Sequence, residues 1–140
     1  MAESIYWGGL VLTGFYAGLL ACLYMKMSLD TIAARRKHQV SLGTGQGEEI
    51  VGVVSAHLNF ASYVPLLLIL LYLVEISNQV PAWVCHPIGI AIFAGRVLHY
   101  RALIQDKMNF KWRVVGMHLT LWPLLTLGIL CVYSFLMSLF

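Results

Sequence analysis

Several polar side chains sit inside runs of this sequence that are otherwise apolar. They are Ser55, His57, Asn59 and Ser62 in one run, Arg96, His99, Tyr100 and Arg101 in a second, and Arg113 and His118 in a third. Ionisable groups within apolar spans are costly, and they usually face a bundle interior or a cavity. Three histidines at one depth could ligate a haem or a metal, but a membrane histidine more often makes a hydrogen bond between helices. The spacing gives no Cys/His metal motif, and no metal is expected. Lys107 and Lys111 have the simpler reading of side chains that reach the headgroups. Arg96 lies two turns from the residues of the third turn. Ser55, Asn59 and Ser62 follow an i, i+4, i+7 stripe, and Arg96, His99, Tyr100 and Leu103 follow i, i+3, i+4, i+7, so each set shares one face of a helix.

Those faces need helices that hold them inside a bilayer. The chain has 140 residues, of which 60% are hydrophobic and 11% charged, and its mean hydropathy is +0.81. A soluble domain carries ~25% charged residues, so composition excludes a soluble globular domain, a disordered tail and a nucleic-acid module. The net charge of +3 is too small an excess to argue for a nucleic-acid partner. Residues 4–25, 50–74, 76–95 and 114–140 contain no Asp, Glu, Lys or Arg. Each run suffices for a helix across the hydrocarbon, which takes ~20 apolar residues. None alternates polar with apolar as a barrel strand would. The expected fold is therefore all-α and integral to the lipid bilayer, a single domain 1–140 with four transmembrane helices near 4–34, 50–75, 81–105 and 112–138.

Lys26, Arg35, Arg36 and Lys37 fall at the end of the first helix, and Arg96, Arg101, Lys107, Lys111 and Arg113 flank the third turn. All nine basic residues thus lie on one side of a four-span chain. The positive-inside rule places loops 1 and 3 in the cytosol and both termini outside. The N-terminus has Glu3 and no basic segment, so the first span is expected to be retained rather than cleaved. Cys22, Cys85 and Cys131 form no CxxC and read as small buried hydrophobes. Gly14 and Gly18 form a GxxxG that favours close helix packing. Pro65 and Pro123 should each kink a helix or break one hydrogen bond.

Four segments resemble the MAPEG family (membrane-associated proteins in eicosanoid and glutathione metabolism), most of all its bacterial branch. They are Ala34-Arg35-Arg36-Lys37 with Val40-Ser41-Leu42-Gly43, Ala56-His57-Leu58-Asn59-Phe60-Ala61-Ser62-Tyr63-Val64-Pro65, Ala94-Gly95-Arg96-Val97-Leu98-His99-Tyr100, and Phe110-Lys111-Trp112-Arg113-Val114-Val115-Gly116-Met117. The resemblance implies a four-helix bundle assembled as a homotrimer in the bacterial inner membrane. It implies glutathione as co-substrate near the cytosolic side and lipophilic small molecules arriving from the bilayer. Arg113 is similar to the arginine that holds the glutathione thiolate. Arg35 or Arg36, Asn59, Tyr63 and Arg96 match glutathione-binding positions, and His57 and Tyr100, inside the same motifs, complete the expected binding set.

Three positions depart from the family pattern. Ser62 stands where a glutamate usually meets the glutathione amino group, Ser55 where an arginine is usual, and Leu103 where several members have tyrosine. Truncating one partner of a buried charged contact costs ~2–5 kcal/mol. The expected function is glutathione transferase or peroxidase chemistry on lipophilic electrophiles. The alternative is a non-catalytic scaffold or lipid-binding protein with a lost or altered glutathione site.

Overall fold

The computed structural model describes residues 3–45, 47–105 and 107–139, with side chains described from Leu12 onward except at Ala82. Gln46 and Asp106, in the first and third turns, lie outside the described residues. Four helices follow in order: α1 Glu3–His38, α2 Val51–Ile76, α3 Ala82–Leu103 and α4 Phe110–Met137. They form the expected all-α bundle. Leu12–His38 of α1, α2 and α4 are each long and apolar enough to cross a membrane. α3 is shorter, at 22 residues, and carries Arg96 and Arg101. At ~1.5 Å per residue it still spans roughly 33 Å, and its length packs against α4, α2 and α1.

The ends of the helices differ from the sequence expectation by a turn or less, each for a local reason. α1 continues through Arg35, Arg36, Lys37 and His38, four basic residues in its last turn, where cations suit the negative end of the helix dipole. It stops at Gln39, whose φ is +56°. The N–H of Val40 donates to the Arg35 carbonyl at 3.0 Å and that of Gln39 to Arg36 at 3.4 Å, a Schellman closure made without glycine. α4 starts at Phe110 because the Asn109 side chain accepts from the Trp112 N–H at 3.2 Å, an N-cap bond.

The bundle is held by aliphatic burial. Leu67 and Leu71 of α2, Ile92 of α3 and Leu127 of α4 are fully enclosed. α3 and α4 make the closest approach. A β-carbon on Gly95 would lie 3.0 Å from the Gly116 carbonyl oxygen, and one on Gly116 would lie 2.7 Å from the His99 nitrogen. Gly14 and Gly18, by contrast, have nothing within contact distance of where a β-carbon would stand, so among the described residues no other helix packs on the GxxxG. The outer faces keep large apolar side chains such as Leu58, Ile69, Trp122, Ile129 and Phe135 exposed, as lipid contact requires.

Candidate functional site

The α3–α4 crossing brings a buried arginine to the middle of a polar network. Arg96 is 2% exposed. Its Nη1 donates to Oδ1 of Asn59 on α2 at 2.6 Å. Its Nη2 donates to the Thr120 hydroxyl and to the Gly116 carbonyl at 3.4 Å. Thr120 in turn donates to the same carbonyl at 2.9 Å. The ring of Tyr63 lies 5.9 Å from the guanidinium, within reach of a cation–π attraction. Arg96 Nε has no protein partner among the described residues, and the one ion pair among them is Lys26–Asp30. Among the described residues, this buried cation is thus held by neutral dipoles and the Tyr63 ring. Such a charge creates a positive field in low dielectric and favours an anion nearby.

Beside this network lies a cavity of about 610 Å³ whose wall includes Ser55, Asn59, His99, Arg113 and Met117. His99 is 5% exposed and its Nδ1–H donates to the Arg113 carbonyl at 3.4 Å. The Arg113 guanidinium is exposed, with Nη1 3.3 Å from the Met108 sulfur. A second cavity, of about 750 Å³, lies toward α1 and is lined by Asp30, Lys37, Glu48, Glu49 and Tyr100.

The expected site residues separate into groups. Asn59 and Arg113 share the first cavity, and Arg96 with Tyr63 stands behind Asn59. His57, two residues from Asn59, points toward α1 instead. Its Nε2 is 3.1 Å from the Ser28 hydroxyl, and its ring stacks on Tyr24 at 4.8 Å. Tyr100 donates to Asp30 and lines the second cavity. Arg35 and Arg36 close α1, and neither is part of the wall of these two cavities. Among the departures, Ser55 and Leu103 line the first cavity. Ser62 is exposed, and its hydroxyl donates back to the Leu58 carbonyl at 2.8 Å.

Residues 13–133 match the MAPEG family. The chain belongs to the MAPEG family. It is also 33% identical over 120 residues to the inner membrane protein YecN of Escherichia coli, strains K12 and O6:H1 (CFT073), covering 86% of this chain and 88% of the relative. The four helices therefore make up a multi-pass membrane protein.

Three contributors to this network and its cavity escaped the sequence reading. Thr120 and Gly116 hold Arg96 from α4, and Glu48 enters from the turn before α2. The signal for the first two was present, since Gly116 and Thr120 are four apart and share a helix face. A second polar cluster, at the opposite end, was also missed. Glu75 is 6% exposed. Its Oε2 accepts from the N–H of Thr13 at 3.1 Å and from the Thr13 hydroxyl, while Oε1 has no partner among the described residues. Nearby on the sequence, His86 is bound by the Tyr16 hydroxyl, 2.9 Å from Nδ1.

Proposed function

We propose that this MAPEG protein binds glutathione in the cleft at its basic end and activates the thiol for attack on lipophilic electrophiles. The observation that carries the reading is the Arg96–Asn59 network beside Arg113: a buried cation with no carboxylate partner among the described residues, next to a cavity with a second arginine in its wall. The cavity volume suits a small ligand, for which pockets run ~300–1,000 Å³.

Arg113 favours the thiolate over the thiol, because a nearby cation lowers a thiol pKa. Partial exclusion of water strengthens that attraction. Asn59, fixed by Arg96, offers its amide N–H donors to the peptide or a carboxylate. The thiolate sulfur then bonds to an electrophilic carbon as the leaving group departs with its electron pair. With a peroxide it takes the near oxygen as the O–O bond breaks, giving an alcohol and a glutathione sulfenic acid, which a second glutathione thiol converts to the disulfide and water. No enzyme nucleophile is required, and the three cysteines stay bystanders. The electrophile enters from the bilayer. In this reading the chain is a homotrimer of the bacterial inner membrane, with its basic end in the cytosol. The inner-membrane setting is supported by the YecN relative and the orientation by the nine basic residues.

A second reading is favoured by Ser55 and Ser62, which carry no charge where a charged ligand would need one. It is a non-catalytic MAPEG scaffold or lipid-binding protein. The two are separated by the ultraviolet difference signal of the thiolate when glutathione is added to the purified protein. A signal that Arg113→Ala loses supports the enzyme. Absence of a signal from folded protein at saturating glutathione rejects it in favour of the scaffold.

A further inference from the structure

The two cavities at the basic end are lobes of one cleft. Glu48, Gly52, Leu103 and Gln105 line both. The closeness of α2 to α3 produces this shared wall: a β-carbon on Gly52 would stand 2.2 Å from the Leu103 carbonyl oxygen. The first turn of α2 is therefore pressed against the end of α3, and the turn carrying Glu48 lies over the junction.

The lobes differ in charge. The lobe toward α1 is lined by Asp30, Glu48 and Glu49 against Lys37. Asp30 is already engaged by Lys26 and Tyr100. The Glu49 carboxylate folds back over Gly47, 1.9 Å from where a β-carbon would stand there. Among the described residues, no hydrogen bond or ion pair engages the Glu48 carboxylate. The other lobe has Arg113 as its cation, with Asn59 and the buried His99 in its wall. His99 holds the Arg113 carbonyl through Nδ1, and its Nε2 has no protein partner among the described residues.

We propose that Glu48 recognises the ammonium of a zwitterionic ligand whose carboxylate or thiolate lies toward Arg113. The ligand class is an amino-acid-like peptide with a free amino group, and the assignment rests on the thiol-binding reading above. Glu48 then supplies from a loop the anionic contact that Ser62, exposed and bonded to its own helix, does not make. A simpler role for Glu48 is to complement the positive end of the α2 dipole. That role would affect stability and not ligand choice.

The test compares glutathione with its desamino analogue, glutaryl-cysteinyl-glycine, by calorimetric titration of the full-length protein in detergent. Native protein should prefer glutathione by about tenfold, the scale of one charge-assisted hydrogen bond. Glu48→Gln should reduce that preference to about twofold or less with little change in affinity for the analogue. Glu49→Gln, the same charge change one residue away, should leave the preference intact. Equal binding of the two compounds by native protein overturns the assignment, as does a preference that survives Glu48→Gln. Those outcomes leave the thiol site standing. Failure of both compounds to bind rejects the thiol site and this assignment together.

Discussion

The two ends of the bundle each bury an ionisable side chain, and they use it differently. At the basic end Arg96 meets Asn59, Thr120 and Gly116, and a cavity opens beside its partner Asn59. At the opposite end Glu75 is clasped by the backbone and hydroxyl of Thr13. Two apolar grooves among the described residues, one along Ala17, Tyr24 and Pro65 and one along Leu121 and Val132, have walls that do not include Glu75. The cost of burial is similar in kind at both ends, since each charge or dipole must find donors or acceptors in a medium without water. What distinguishes the basic end, among the described residues, is an adjoining cavity with polar groups in its wall. Arg96 sits behind such a space. Glu75 fastens α1 to α2.

Breaking the basic end at its tightest point should have the largest effect. Gly116→Ala forces a β-carbon to within 2.7 Å of the His99 backbone nitrogen, so α3 and α4 must separate. We expect a loss of about 3 kcal/mol, in the upper range for overpacking, read as a lowered melting temperature in detergent, together with loss of the thiolate signal. Unchanged melting would show that the crossing is looser than the glycine contacts imply.

Arg96→Met comes next. It removes the buried cation at similar length and leaves Asn59 and Thr120 each short of a partner. Stability should fall by about 1–3 kcal/mol, and glutathione affinity should fall because Asn59 loses its anchor. Retained affinity would mean that Asn59 is held by other contacts.

The opposite end supplies the contrast. Thr13→Val deletes one of the two donors to Glu75 and should cost about 1–2 kcal/mol while leaving glutathione binding at its native value. A change in binding would mean that the two ends communicate along α1. The smallest effect is expected between them. Ser28→Ala removes the partner of His57 and should cost about 0.6 kcal/mol, the average for a hydrogen bond between membrane helices, with binding unaltered. A large loss of binding in that variant would return His57 to the ligand site.

Much of the fold was legible in the sequence because lipid simplifies the problem. Backbone groups must be satisfied within each span, so long apolar runs become helices. Composition excluded a soluble protein, and the four runs gave four helices. The helix ends were less legible. Gln39 closes α1 in a conformation usually left to glycine, and nothing in its side chain announces that. The GxxxG at Gly14 and Gly18 suggested bundle or oligomer packing, and among the described residues no helix of the same chain lies against it, whereas Gly95 and Gly116, on different helices, form the close crossing. A motif shows where a helix surface is smooth. It does not show what lies against it.

The candidate site was legible in residue type and illegible in grouping. Asn59, Arg96 and Arg113 could be picked out because polar groups in apolar runs are costly and stand out against leucine and valine. Their separation from His57 and Tyr100 depends on how α2 and α3 are rotated against α1, and rotation is set by packing of apolar side chains that resemble one another in sequence. The same packing turned Arg96 toward Asn59 and away from the cavity, brought Thr120 and Gly116 to it from a helix distant in sequence, and laid Glu48 over the junction of two lobes. Chain chemistry thus specified which groups were present and how deep they lay. Contacts between helices assigned their partners, because a hydrogen bond needs two groups within about 3 Å, and no spacing along one helix fixes that distance to another.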